Sequence, residues 1–145
     1  MSPAQLLLTA CATVAIAAAG PLPAAAQTAL TVAFEGIKDQ KGAIMVAVYD
    51  SEAAYDGGKP ASATAIPATA ARVETKIAGL APGRYAIKAF HDLNGDGKMG
   101  TNPFGMPIEP FAFSNNAVGT MGPAKWSAAA FTVEGDATVH AMTID

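Results

Sequence analysis

The chain carries one cysteine, Cys11, and two histidines, His91 and His140. Only 14% of its residues are charged, nine basic against twelve acidic, for a net charge of −3. Each scarcity excludes something. One cysteine cannot close an intrachain disulfide. With so few nitrogen and sulfur ligands, zinc or another soft metal has little to bind. No basic stretch tracks a nucleic acid or an anionic membrane surface. After residue 26 no apolar run approaches the roughly 20 residues that a spanning helix needs, so no transmembrane segment is expected there.

What is present begins with residues 6–19, almost wholly apolar and uncharged, ended by Gly20, Pro21 and Pro23. Ala24-Ala25-Ala26 then fits the small-x-small cleavage rule. Residues 1–26 read as a cleaved secretory signal peptide, although no Lys or Arg precedes Leu6. Residues 27–145 are left as one domain, periplasmic or secreted. A retained anchor is the alternative, but the run is short for one. Leu8-Thr9-Ala10-Cys11 has the form of a lipoprotein box, yet the apolar run continues past Cys11 and little of it precedes. Cys11 leaves with the leader, so the mature domain has no thiol chemistry.

That domain reads as strands. Leu30–Glu35 alternates apolar and polar residues, the period of a half-buried strand. Ala43–Tyr49 follows after a turn-rich stretch, and the two are expected to form a hairpin. Asp50–Tyr55 suggests a short helical turn capped by Asp50 or Ser51. Asp56–Ala70 reads as a connection with an edge strand near Thr64–Ile66. Arg72–Ile77 alternates again. Leu80-Ala81-Pro82-Gly83-Arg84-Tyr85 resembles the tyrosine corner of Greek-key sandwiches. In the next strand Tyr85, Ile87, Ala89 and His91 share one face, while Arg84, Ala86, Lys88 and Phe90 are assigned to solvent. Trp126–Glu134 and Thr138–Ile144 are expected to form a last hairpin. The expectation is an all-β, seven-stranded Greek-key β-sandwich of immunoglobulin-like or transthyretin-like type. One long loop, Leu93–Lys125, separates the fifth and sixth strands. A loop of that size in a compact domain is usually functional or disordered, and its aromatics argue against disorder.

The loop holds the chemistry. Asp92, Asn94 and Asp96 place three oxygen side chains at alternate positions before Gly97, the first half of a calcium loop. The Lys98 carbonyl is a fourth oxygen. Pro103 stands where a helix-loop-helix site has its closing glutamate, so Glu109 would have to fold back, or Asp56 approach from elsewhere. The alternative is an ion-free turn tied by its own hydrogen bonds. His91 beside Asp92, with Ser114 as a nucleophile, would make a small hydrolase. Against it stands a His91 held by backbone carbonyls at the base of the loop. Phe111, Phe113, Ser114, Asn115 and Asn116 set aromatic faces beside amides, as sites for sugars, peptides and small aromatics do. The alternative is that the rings cap the sandwich and the asparagines satisfy backbone groups. His140 carries no assigned role.

Four motifs in order, Pro82–Tyr85, His91–Lys98, Gly105–Glu109 and Phe113–Asn116, resemble the bacterial exported family called domain of unknown function 2141. Two positions depart from the family pattern: Gly100, where an Asp is usual, and Ala112, where a Gly is usual. The resemblance implies export and a sandwich fold, and no particular activity. The reading at this point is an exported binding module for a small molecule, glycan or envelope protein, with calcium as a candidate stabiliser and residues 91–116 as the site. A hydrolase using His91 and a purely structural envelope protein are the alternatives.

Overall fold

Alternation places the strands. In β1 (Thr28–Glu35), Leu30, Val32 and Phe34 are fully buried. In β2 (Ala43–Tyr49), Ile44, Val46 and Val48 turn inward in the same way. The computed structural model describes residues 28–135 and 137–145; the expected leader and its cleavage point at Gln27 lie outside the described residues. The remaining strands are β3 (Ser62–Pro67), β4 (Val73–Leu80), β5 (Gly83–Asp92), β6 (Phe111–Phe113), β7 (Phe131–Val133) and β8 (Ala137–Thr143).

They form two sheets, one ordered β4-β1-β8 and one ordered β3-β2-β5-β6, with β7 also on β5. Leu30, Val32 and Phe34 from the first sheet share one core with Ile44, Val46, Val48 and Ile87 from the second. The fold is thus mostly β, with two facing sheets. Eight strands are assigned among the described residues, not seven, because β6 breaks what reads in sequence as one loop.

Two expected hairpins are not made. β1 pairs with β4 antiparallel and with β8 parallel, whereas β2 pairs with β3 and β5. β1 and β2 lie in opposite sheets and turn their large apolar side chains into one interior from either side. The connection between them spans the roughly 10 Å between packed sheets. Likewise β7 joins β5 in one sheet, and β8 returns to β1 in the other.

At the corner between β4 and β5 the chain crosses from one sheet to the other. The Tyr85 hydroxyl donates to the Ala81 carbonyl at 2.8 Å, and the ring is buried in the core. The tyrosine bonds back to the corner as expected.

On the outer face of β5 Arg84 is exposed as expected, but Ala86 is buried and Lys88 and Phe90 are half-buried rather than in solvent. α1 (Glu52–Gly57), capped by the Ser51 hydroxyl, and α2 (Trp126–Ala129) lie over this face. Tyr49, Tyr55, Ala86 and Ala129 form a second small core there, with Trp126 and Phe113 against it. Lys88 points into this layer: its ammonium lies 3.9 Å from the Tyr55 ring centre and donates to the Tyr55 carbonyl at 2.7 Å. Burial lowers its pKa, opposed by Asp56, and burial pushes the Tyr55 hydroxyl up to about 12, helped by Tyr49 and Asp56. Alternation alone cannot see such a cover, because a lysine among alanines reads as an exposed face. Trp126 likewise opens a helical turn rather than a strand.

Candidate functional site

The segment after β5 is built around two buried carboxylates. Asp92 Oδ1 accepts from Gly95 N–H at 2.7 Å, and Asp92 Oδ2 accepts from Gly97 N–H at 2.8 Å. Glu109 folds back over the turn: Oε1 accepts from Leu93 N–H at 2.9 Å and Oε2 from Gly100 N–H at 2.8 Å. Between them Asn94 Oδ1 accepts from Asp96 N–H, and Asp96 Oδ1 from Lys98 N–H. The glycines are needed because Gly95 and Gly97 sit at φ 78° and 72°, a region side chains with a Cβ avoid. Gly42, just before β2, closes the base: a Cβ there would lie 2.0 Å from the Asp92 carbonyl oxygen. Asp92, Asn94 and Asp96 therefore share one turn. Asp56 does not reach it; it lies in α1, beyond the opposite end of β2. Among the described residues, no three His, Cys, Asp or Glu side chains gather in a way that could hold a metal.

His91 is 1% exposed, and its Nε2–H donates to the Lys41 carbonyl at 2.7 Å. Its backbone N–H donates to the Pro110 carbonyl. The ring stands at the base of the loop, held by backbone. A small cavity of about 70 Å³ beside it is walled by Lys38, Asp39 and Ile144, among others.

Beyond Gly100 the chain makes a tight tip, missed in the sequence. Asn102 Oδ1 accepts from both Phe104 and Met106 N–H, and Thr101 bridges to Pro107. Phe104 is 89% exposed at its end.

Phe113 to Asn116 is a splice between strands. β6 and β7 share one edge of β5, with a gap between Lys88 and Tyr85. Ser114 fills it: its Oγ accepts from Ile87 N–H at 2.9 Å and donates to the Ala129 carbonyl at 2.6 Å. The hydroxyl is fully buried and used by backbone. Asn115 and Asn116 both sit at positive φ, which Asn tolerates best among residues with a side chain. Asn115 Nδ2 donates to the Ala128 and Ala130 carbonyls, and Asn116 Oδ1 accepts from Thr143 N–H at 2.9 Å. The asparagines thus tie α2 and β8 to β6.

His140 is part of this splice, although its sequence neighbourhood gives no hint. Its Nε2 accepts from Asn115 N–H at 3.0 Å, and its ring stacks on Phe131 with centres 4.0 Å apart. An imidazole accepting at Nε2 is neutral, and burial lowers its pKa below the ordinary 6.5. The unfolded chain then takes up a proton at a higher pH than the folded one. Stability from this group is complete above about pH 6.5 and falls as pH drops through the lowered folded value. Urea midpoints between pH 7.5 and 5 are expected to fall, and His140→Phe, which keeps the stack, is expected to flatten that part of the profile. An unchanged slope in the variant would remove His140 from the account.

What remains open is a cleft of about 250 Å³ beside the splice. Phe111 and Phe113 form one wall as an edge-on pair, ring centres 5.7 Å apart. Val118 and Gly119 lie on another side, and Asn116, Thr143 and Asp145 supply the polar rim. Of the residues singled out in the sequence, Phe111, Phe113 and Asn116 meet here. Ser114 faces the interior, Asn115 is committed to α2, and His91 stands at the base of the loop.

A β-rich fold with two facing sheets, a carboxylate-pinned loop and a cleft at the seam of the sheets defines a class of small sandwich domain. The model of one protein family, described as an uncharacterized protein conserved in bacteria (DUF2141), matches residues 32–141, more than half of the chain. The chain belongs to that family. Searches of curated proteins and of solved structures gave no match. Among the described residues no helix is long and apolar enough to cross a membrane.

Proposed function

We propose that the chain is an exported binding module whose ligand site is the cleft between β6 and β8. The observation that carries this is the cleft itself, an aromatic pair and a polar rim on a frame of backbone-paired strands. The uncharged run ended by Ala24-Ala25-Ala26 supports export to the periplasm or beyond. The tyrosine corner at a crossing between sheets supports a Greek-key frame of immunoglobulin-like or transthyretin-like kind.

The hydrolase reading has less behind it. Ile87 faces Ser114, and His91 lies four residues further along β5, roughly 13 Å away at about 3.3 Å per residue. Both groups are already bonded to backbone. The structural-protein reading does not account for the open cleft.

The test uses a panel of short peptides, sugars and small aromatic amides, measured by ligand-observed resonance against the protein and against Val118→Trp. Val118 is 85% exposed and lines the cleft, so tryptophan there fills it without touching the core. At least one class is expected to bind the protein and lose its signal with the variant. Equal behaviour of the two proteins across the panel would overturn the reading.

Calcium is a separate question, because both oxygens of Asp92 and both of Glu109 already accept backbone N–H groups. Millimolar calcium or a chelator is expected to move the melting temperature by less than about 2 °C, a few tenths of a kcal/mol in a domain of this size. A rise of several degrees with calcium but not magnesium would instead assign an ion to Asp92, Asn94, Asp96 and the Lys98 carbonyl, since magnesium demands tighter octahedral geometry.

A further inference from the structure

The cleft lies where a strand pairing starts and stops. Phe111 N–H donates to the Asp145 main-chain oxygen at 3.1 Å, and Asp145 N–H donates back to the Phe111 carbonyl at 3.5 Å. This is one hydrogen-bonded pair of an antiparallel ladder. The next such pair would join Phe113 to Thr143, two residues along each strand. Instead Thr143 N–H donates to Asn116 Oδ1, and the strands part.

Alternation then settles what the walls present. Phe111 turns both its main-chain groups away from β5, so Phe113, two residues on, turns its N–H the same way. Ile144 N–H donates to the Glu35 carbonyl, towards β1, so the Thr143 carbonyl points away from β1, the side on which Phe111 and Asn116 meet β8. The cleft is lined by Phe113 and Thr143. It therefore holds a main-chain donor on one wall and a main-chain acceptor on the other, with an aromatic pair alongside.

Building on the binding-module reading, we propose that this cleft takes a secondary amide bearing an apolar substituent. A trans amide carries its C=O and N–H on opposite sides. Its oxygen accepts from Phe113 N–H, its N–H donates to the Thr143 carbonyl, and the substituent lies on Phe111 and Phe113. The amide restores the rung that Asn116 keeps open, a short form of strand addition. The same chemistry is offered by the main chain of an extended peptide and by the N-acyl group of a sugar.

The test is a titration of the isotope-labelled protein followed at the Phe113 backbone amide and the Asn116 side-chain amide. Three probes are used at about 10 mM, enough to populate a millimolar site: N-acetylphenylalanine N-methylamide, N-acetylglucosamine, and methyl 3-phenylpropionate, which has the ring but no N–H. At least one of the two amides is expected to shift the Phe113 resonance, with the ester several-fold weaker and with no shift in Val118→Trp. Response to the first probe alone assigns a peptide, and response to the second alone assigns an N-acyl sugar. An ester as effective as the amides would overturn the amide assignment while leaving a cleft that binds ligands. Silence of all three probes would overturn both readings.

Discussion

Asp92→Ala is expected to destabilise the domain by about 2–4 kcal/mol. The carboxylate accepts from Gly95 and Gly97 N–H while only 3% exposed. Hydrogen bonds to charged groups are worth roughly 1.5–3 kcal/mol each. Some of that returns, because the two freed N–H groups lie on exposed glycines and regain water. Against a total stability of about 5–15 kcal/mol for a domain, the loss is large. Asp92→Asn is expected to do almost as badly, since its NH₂ group faces one of the two donors. Glu109→Ala removes the other clamp, and the double variant is expected to lose less than the sum, because both side chains close one turn. Urea denaturation of the parent and the four variants measures this, and limited proteolysis between residues 93 and 109 reports the loop directly. A loss below about 0.5 kcal/mol for Asp92→Ala, the range of an ordinary surface substitution, would show that the turn holds itself.

Tyr85→Ala is expected to cost about 3–5 kcal/mol, as other truncations of buried aromatics do. The ring sits in the main core, and the hydroxyl holds the crossing between sheets through the Ala81 carbonyl. Tyr85→Phe keeps the ring and is expected to cost on the order of 1 kcal/mol, the net worth of one hydrogen bond. Equal, small losses for both variants in denaturant melts would place Tyr85 outside the core.

Strand positions were readable because half-burial leaves a period of two in Leu30–Phe34, Ile44–Val48 and Tyr85–His91. Strand partners were not, because period says which residues face inward and nothing about which neighbour carries the ladder. β1 and β2 are adjacent in sequence and lie in different sheets. The corner at Tyr85 and the Ser51 cap were legible since both are local devices with their own residue signatures. The candidate site was legible in part. Aromatics beside amides marked Phe111 to Asn116, but the hydroxyl and amides there serve the backbone. Their demand arises from a gap between β6 and β7, which exists only once both have paired with β5. His140 was missed for the same reason: its partner, Asn115, lies far away in sequence.

The parallel pairing of β1 with β8 also sets a schedule. β1 lies in the middle of its sheet, between β4 and β8, and Leu30 meets Thr138. A chain that emerges from its amino end has most of β1's apolar residues in hand early, yet one edge of that strand stays bare until the last strand arrives. Such long-range closure belongs to the slow end of single-domain folding, milliseconds to about seconds. An unpaired apolar edge is open to other chains while it waits. Completion falls to the final residues, which also seat Asp145 against Phe111. The cleft between β6 and β8 therefore takes its form only once β8 has paired with β1.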